Sequence, residues 1–288
     1  MITRLSRRQG RSILAGGLFT VLAAVCAVVL TVTTAPTAAA VGGGGGKFEN
    51  ICYYTHTNQD DAIVFPGQVG ASPHLHDYVS NPGANANSTA ASLRAGTTNC
   101  VNSLDFASYW APTLFNGSTP IHPNSDTIYY LSNGKSNVKP YPFGLKELAG
   151  NPDATSPAQA QDILWGCSTT APTYNYAPVC SSGAELHVRV DFPDCWNGTT
   201  LDSPTHRTHV AYSANGVCPA GYPVPIPMLS ILFKYTFSNG KVLKTSAGLG
   251  TWSMHADFIN AWDVNELAHM VSMCLDPQKV CGRPTGIQ

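Results

Sequence analysis

The chain has 288 residues with a small and nearly balanced charge: charged residues make up 11%, with 16 Lys and Arg against 17 Asp and Glu. A surface that binds polyanions needs clustered Lys and Arg, which the chain lacks, so nucleic acid is excluded as a partner. Polar surface must come from Asn, Ser, Thr, Gly and Tyr, a profile common in extracellular proteins that meet neutral ligands such as sugars.

The first forty residues have the pattern of a signal peptide. A basic start between Arg4 and Arg11 precedes an apolar run from Ile13 to Val32. The run ends in TAPTAAAV, whose small residues predict cleavage after Ala40 and therefore a secreted, extracellular protein. The alternative is an uncleaved anchor, because the run is long enough to span a bilayer. Contact with a membrane is expected only in that case.

Five glycines at 42–46 predict a flexible lead over residues 41–47. The remaining residues, 48–288, are enough for a single globular domain with a substantial core. Without the leader, 12 Lys and Arg oppose 17 Asp and Glu, which gives the mature chain a net charge of −5.

Eight cysteines follow the leader, an even number that predicts up to four disulfides in a secreted protein. No CxxC pair occurs, which argues against a thiolate zinc site. Short separations favour three pairs and leave a fourth: Cys167–Cys180, Cys195–Cys218, Cys274–Cys281 and Cys52–Cys100.

The first predicted elements are a hairpin and a short helix. Thr127–Ser132 reads as a strand, and Asn133-Gly134 after it supplies the positive φ angles of a tight hairpin turn. Ser156-Pro157 before Ala158–Trp165 predicts a helix, since Pro is favoured at the first helical position.

Two alternating segments predict strands further along the chain. In Glu185–Asp191 every second residue is apolar, as expected for a half-buried strand. Leu229–Phe237 alternates in the same way. The turn residues Asn239-Gly240 and a returning strand Lys241–Thr245 predict a second hairpin.

The clearest helix begins at Asp263, whose carboxylate is predicted to cap it while Glu266 closes a capping box. Residues from Leu267 to Cys274 follow at helical spacing and form one apolar stripe, which is expected to dock on the sheet and end in a disulfide. The fold class predicted by these elements is mainly β, a β-sandwich or distorted jelly roll with a few short peripheral helices, stapled by disulfides.

Five of the nine histidines fall into three groups, and this grouping is the main functional clue. The groups are His74 and His76 in SPHLHDY, His206 and His209 in DSPTHRTHVAY, and His255 in WSMHADF. Residues two apart share a face of an extended segment, so His74 and His76 are predicted to point together, away from Asp77. The same spacing places His255 beside Asp257.

The second group is less regular, because residues three apart align on a helix but oppose each other on a strand. Pro204 predicts an extended residue followed by a turn. If only one of the two histidines faces a site, His206 is favoured. The four remaining histidines, at 56, 122, 187 and 269, are expected to be structural.

These motifs resemble a known family. SPHLHDY, YWAPTLF, FPDCWNGTTLDSPTHRTHVAY and SMHADFINAW, in this order, are similar to DUF1996, a family of secreted fungal and bacterial proteins of unknown function. The resemblance covers about 48–281. It implies a secreted domain that carries the H-x-H, H-x-x-H and H-x-D groups, sometimes joined to wall- or carbohydrate-binding modules, and it names no reaction.

The three histidine groups predict one shared cleft. A hydrolase needs a proton donor for the leaving oxygen and a base or nucleophile opposite it. Asp257 is the predicted base, with His76 or His206 as acid or transition-state stabiliser. Imidazole and carboxylate also suit a divalent metal, zinc or copper, for which His74, His76 and His255 are the candidate ligands.

Four residues near these motifs are candidates for substrate binding: Trp110, Trp196, Trp252 and Asp202. Exposed aromatic faces stack on sugar rings, although core packing explains the tryptophans equally well. The leading hypothesis is a secreted hydrolase of cell-wall or biomass polysaccharide. The alternatives are a non-catalytic wall- or glycan-binding module and a metal-dependent oxidase or phosphodiesterase.

Overall fold

A computed structural model describes residues 45–168, 170–236, 242–248 and 250–283. The predicted signal peptide and the predicted Asn239-Gly240 turn lie outside these described residues. No helix within the described ranges combines the length and apolar character that a bilayer crossing requires.

The described residues form fifteen strands and a few short helices. The strands are β1 Lys47–Asn58, β2 His76–Val79, β3 Ser108–Pro112, β4 Leu114–Asn116, β5 Thr119–Ile121, β6 Ser125–Leu131, β7 Lys146–Gly150, β8 Ile163–Cys167, β9 Leu186–Asp191, β10 Cys195–Trp196, β11 Val210–Ala211, β12 Val224–Pro225, β13 Met228–Tyr235, β14 Leu243–Thr245 and β15 His255–Ile259. The α-helices are α1 Ala90–Arg94 and α2 Val264–Met270, which continues as a π-helical turn Val271–Leu275; 3₁₀ turns lie at Pro157–Gln159 and Thr251–Ser253.

Nine of these strands make one antiparallel sheet in the order β7-β15-β3-β2-β1-β6-β13-β9-β8. The sheet curls so far that β7, at one edge, contacts β9, next to the other edge. The main core fills the inside of this curve. Two three-stranded sheets, β11-β10-β12 and β14-β4-β5, complete the β structure. The predicted mainly β fold with few short helices is confirmed.

The two strands with the clearest alternation lie side by side. The predicted apolar residues of β13, from Leu229 to Tyr235, are buried, as are those of β9. The prediction of a half-buried β9 is wrong for its polar face, because His187 and Arg189 are also buried. Burial of this face is possible because each of the two side chains has a carboxylate beside it. Arg189 pairs with Asp191 at 3.0 Å, and His187 lies 3.4 Å from Glu185.

Neither predicted hairpin pairing is present among the described residues, although the strands exist. Strand β6 ends at Leu131, and Asn133 and Gly134 adopt positive φ angles of 50° and 73°, but β6 pairs with β1 and β13 and not with the residues that follow it. Likewise β14 pairs with β4 instead of β13. Turn chemistry fixed the local bend at Asn133-Gly134, whereas tertiary packing determined the pairing partners of β6 and β14.

The predicted helix at Asp263 is confirmed as α2. The Asp263 carboxylate accepts hydrogen bonds from the backbone N–H groups of Asn265 and Glu266. The predicted capping box does not form, since the Glu266 carboxylate accepts from the Asn102 side chain at 2.8 Å. The apolar stripe is buried and ends at Cys274.

The second predicted helix is largely wrong. Only Pro157–Gln159 is helical, as one 3₁₀ turn, and Ile163 to Trp165 belong to strand β8. The side chains of Ile163 and Trp165 are buried in the main core by pairing with β9. Burial of these large residues outweighs a weak local helix preference.

All four predicted disulfides are present. They join Cys52 to Cys100, Cys167 to Cys180, Cys195 to Cys218, and Cys274 to Cys281. Each cross-link restricts the unfolded chain, which is worth about 2–4 kcal/mol.

The described part of the glycine-rich lead is packed. Gly46 is buried, and its N–H donates to the Ser132 hydroxyl at 2.9 Å. A Cβ at this position would lie 2.3 Å from the carbonyl oxygen of Cys274, so only glycine fits there. The first strand therefore starts at Lys47, immediately after a glycine that the fold requires.

A buried carboxyl group connects β1 to the core. Asp105 is fully buried and accepts hydrogen bonds from Asn50 Nδ2 at 2.9 Å and from the Tyr109 hydroxyl at 3.0 Å. Tyr109 in turn contacts the Tyr130 hydroxyl at 2.7 Å. Burial raises the pKa of Asp105 to about 7 despite these hydrogen bonds.

The raised pKa predicts that Asp105 weakens folding as the pH increases. Between about pH 4 and pH 7 the unfolded chain ionises this carboxyl before the folded chain does, so its contribution to the free energy of unfolding falls by a few kcal/mol, at about 1.4 kcal/mol per pKa unit. In Asp105→Asn this fall should be absent when stability is measured by urea denaturation of the non-reduced protein at pH 4 to 8. Asp263→Asn is the control of opposite sign, because backbone hydrogen bonds lower the pKa of Asp263. Parallel pH profiles for wild type and Asp105→Asn would contradict the prediction.

Candidate functional site

The candidate site lies on the outer face of the main sheet, opposite the core. Alternation along β2 sends Asp77 and Val79 to the inner face and His76 and Tyr78 to the outer face. Along β15 the same alternation sends Ala256 inward. The predicted opposition of His76 and Asp77 is therefore what the structure shows.

Cross-strand pairing brings outer-face residues of four strands into one row. His56 on β1 faces Tyr78 on β2, Tyr78 faces Trp110 on β3, and Trp110 faces Asp257 on β15. The rings of His56, Tyr78 and Trp110 stack at centroid distances of 4.7 and 5.4 Å. The carboxyl of Asp257 thus sits at the end of a stacked aromatic row.

The next row contains a cluster of three histidines. The Nε2 atoms of His74 and His255 are 3.2 Å apart. The His76 ring lies 4.5 Å from the His74 ring and 6.0 Å from the His255 ring, measured between centroids. The ligand nitrogens of all three lie within 4.8 Å of one another. The predicted meeting of the first and third histidine groups is what the structure shows.

Backbone carbonyls hold two of these rings in place. His76 Nδ1 lies 2.9 Å from the carbonyl oxygen of Asp60, and His255 Nδ1 lies 3.0 Å from that of Ser253. A carbonyl only accepts, so both Nδ1 atoms carry the proton and both Nε2 atoms present lone pairs. His76 Nε2 is buried with no hydrogen-bond partner among the described residues.

Burial keeps the cluster uncharged. It lowers the pKa of His74 to about 4 and that of His255 to about 3, and it lowers the pKa of His76 well below its usual value. Repulsion between neighbouring imidazolium charges acts in the same direction for His76 and His255. Neutral imidazoles are Lewis bases, and three of them face one point.

A cavity of about 360 Å³ gives access to the cluster. His74, His255 and Asp257 line it together with Arg207 and Asp153. Asp257 is 1% exposed, and neither of its oxygens has a hydrogen-bond partner within the described part of the chain. Burial raises the pKa of Asp257 well above its usual range.

Arg207 was not predicted, although it stands between two candidate histidines in the sequence. Its guanidinium donates to the carbonyl oxygens of Leu148 at 3.3 Å and Gly150 at 2.9 Å on β7. These bonds orient the loop after Pro204 so that Arg207 lines the cavity. The signal available in the sequence was the turn itself, in which Arg207, the second residue of HRTH, reaches the cavity.

His206 and His209 do not line the cavity. His206 donates from Nδ1 to the Asp202 carboxylate at 2.8 Å. His209 is fully buried, accepts from the Ser203 hydroxyl at Nδ1, and donates from Nε2 to the carbonyl oxygen of Lys146 at 2.6 Å. Asp202 also pairs with Lys146 at 3.3 Å. These residues hold the loop that carries Arg207.

The three candidate tryptophans are separated. Trp110 lies beneath the site, 1% exposed, with its Nε1 atom lacking a partner among the described residues. Trp196 donates from Nε1 to the Thr200 carbonyl oxygen at 2.7 Å, and Trp252 lies in a 3₁₀ turn. Neither of these two lines the cavity. No tryptophan platform therefore faces the histidines in the described structure.

A second cavity of about 500 Å³ adjoins the first. The two share Pro73 and His74 as lining residues. Phe115, Ser118 and Lys244 belong to the second cavity alone. His74 therefore stands between two spaces that both reach solvent.

Within the described residues, two groups bring three metal-ligating atoms close enough to share an ion. One consists of Cys52, Cys100 and Asp105, but its two sulfurs are joined in a disulfide and offer no thiolate. The other is His74, His76 and His255. The donor set of a transition-metal site is thus found at one place, the histidine cluster.

Comparison with known proteins agrees with the sequence motifs. The family described as Domain of unknown function (DUF1996) matches residues 61–262, a range that includes every lining residue of the histidine cavity. No curated protein and no solved structure matches the chain. The matched range covers well over half of the sequence, and the chain therefore belongs to the DUF1996 family.

Proposed function

We propose that this protein is a secreted hydrolase of extracellular polysaccharide whose reaction takes place in the cavity lined by His74, His255 and Asp257. One observation carries the proposal: a buried carboxyl with both oxygens unpartnered shares a solvent-reachable cavity with imidazole lone pairs. Unpartnered buried polar atoms cost about 1–3 kcal/mol each. Perturbed titratable groups cluster at functional sites, and Asp257, unlike the equally unpartnered Glu147, lines a cavity that a substrate can enter.

The cavity supplies the two groups that hydrolysis of a glycosidic bond requires. The oxygen of water forms a bond to the sugar carbon while the bond to the leaving oxygen breaks, and that oxygen receives a proton. A second proton leaves the attacking water, and the carboxyl of Asp257 and an imidazole nitrogen of His74 are the two groups in the cavity that can carry these two protons. Arg207 lines the same cavity and supplies a fixed positive charge near Asp257.

Several features support a polysaccharide as the substrate class. The predicted secretion signal and the four disulfides suit an extracellular protein. The chain carries few charges, so its polar surface consists largely of uncharged groups that can form hydrogen bonds with neutral hydroxyl-rich ligands. The second cavity gives room beyond the reacting bond, with Phe115 and Ser118 available for contacts to further sugar units.

Asp257→Asn should nearly abolish hydrolysis of the polysaccharide, since it removes an ionisable proton carrier while keeping the side-chain volume. We expect a loss of about 100-fold or more in soluble reducing sugar released from a panel of wall and biomass polysaccharides. Asp153→Asn is the matched control, because Asp153 lines the same cavity but is exposed, and it should retain activity. No product from any polysaccharide, or equal rates for both variants, would reject the hydrolase.

Arg207→Gln should lower kcat/KM by about tenfold. The substitution removes a positive charge and the two hydrogen bonds to β7 that orient the loop. Arg283→Gln is the matched control, since Arg283 is an exposed arginine that pairs with Glu49 at 3.1 Å and does not line the cavity. Steady-state kinetics on the same polysaccharide compares the two variants. An equal loss for Arg283→Gln would contradict the role of Arg207 in the cavity.

A non-catalytic glycan-binding module is the second candidate, favoured by the larger size of the cavity that lies beyond His74. It predicts retention on an insoluble polysaccharide without product, equally for wild type and Asp257→Asn. The third hypothesis, a metal-dependent oxidase or phosphodiesterase, depends on a metal at the three histidines.

A further inference from the structure

We propose that His74, His76 and His255 bind one divalent transition-metal ion, of the zinc class, through their three Nε2 atoms. The ion would lie between β2, the residues that precede it, and β15, at the inner end of the cavity of about 360 Å³. The inference rests on the proposed hydrolase and changes one role in it: the ion would activate the water, His74 would be a ligand instead of a proton carrier, and Asp257 would keep its role in proton transfer. The site can be tested without any substrate.

The fixed tautomers give the first argument. His76 and His255 both donate from Nδ1 to a backbone carbonyl, which leaves each Nε2 as an acceptor. Metal-binding histidines are held in this way, by a hydrogen bond from the ring nitrogen that does not bind the metal. The two carbonyls come from separate segments, at Asp60 and Ser253, so both rings are oriented toward the same point before any ion arrives.

The number of protons gives the second argument. His74 Nε2 and His255 Nε2 are 3.2 Å apart, and His255 Nε2 carries no hydrogen. A hydrogen on His74 Nε2 could satisfy the lone pair of His255 but would leave that of His76 without a partner, fully buried. A single cation satisfies all three lone pairs at once, which one proton cannot do.

Further buried polar atoms without partners lie on the same face of the sheet as the cluster. Of the buried side-chain atoms without partners in the described residues, His76 Nε2, Trp110 Nε1 and both Asp257 oxygens belong to the outer-face rows. Asp257 stands outside the ligand group, so a metal-bound water facing the cavity, and not the ion, is the partner its oxygens fit. Such a water would lie between the ion and Asp257.

The donor chemistry selects the class of ion. Imidazole nitrogens suit zinc, copper, nickel and iron, whereas calcium and magnesium require oxygen ligands. Three protein ligands with a fourth position open to a cavity are the arrangement of catalytic zinc sites, while structural zinc sites are closed by four protein ligands. Here His74 is the half-buried ligand on the open side.

The test uses the secreted protein purified after expression of the full chain. The protein is stripped with a chelator, dialysed against Zn²⁺, and analysed for bound metal by mass spectrometry. Wild type should hold one zinc per chain, and Co²⁺ in its place should give the visible absorption of a four- or five-coordinate site. His74→Ala and His76→Gln should each raise the Kd for zinc by about 100-fold or more. His269→Ala, on helix α2, is the matched control and should leave the Kd unchanged.

Thermal unfolding separates loss of metal from loss of folding. Zinc should raise the Tm of stripped wild type, and His74→Ala should unfold cooperatively with a Tm that zinc does not change. Wild type without stoichiometric zinc, or His74→Ala with wild-type affinity, overturns the metal site. Glycan hydrolysis by a metal-free protein would overturn this inference alone, whereas bound zinc without hydrolysis of any glycan would overturn the proposed function alone.

Discussion

Burial of β2 and β15 on both faces is the constraint on which the rest of the structure depends. Their inner residues, such as Val79 and Ala256, complete the main core, so neither strand can rotate or slip by one residue without exposing it. The outer residues are then fixed as well. Register alone places Tyr78 beside Trp110, and Trp110 beside Asp257. Core packing on one face therefore positions polar groups on the other.

The outer face differs from an ordinary second core because some of its buried polar atoms are not paired. Elsewhere in the described structure some buried charges find partners, as Lys135 does with Asp194 and Arg189 with Asp191, whereas the buried carboxyl of Glu147 on β7 has none among the described residues. At the outer face His76 Nε2 and the Asp257 oxygens have none. Four disulfides and a well-filled core can support this local cost of several kcal/mol. Access to a cavity distinguishes the outer-face groups, because His255 and Asp257 line one, whereas Glu147 lines neither of the two cavities described above.

Sequence periodicity predicted the parts of the fold that local chemistry determines. The alternation in β13, the cap at Asp263 and the close cysteine pairs all depend on neighbours in the chain, and all three are confirmed. The partners of β6 and β14 depend on contacts between distant segments, which a turn sequence does not specify. The candidate site likewise has a part that local spacing predicted and a part that depends on tertiary contacts. The spacing of His74 and His76, and of His255 and Asp257, predicted shared faces, whereas the place of Arg207 depends on how a loop crosses β7.

Asp77 shows how the inner face can influence the site without touching it. On the inner side of β2 its Oδ1 atom accepts hydrogen bonds from Thr57 at 2.6 Å, Thr113 at 2.8 Å and His122 at 3.0 Å. Thr57 belongs to β1, and Thr113 follows β3, so one carboxylate ties the start of β2 to both neighbouring strands. That end of β2 is where His76 leaves the sheet on the opposite side. The motif H-x-H-D therefore combines two ring nitrogens for the outer site with a carboxylate that holds their strand in place.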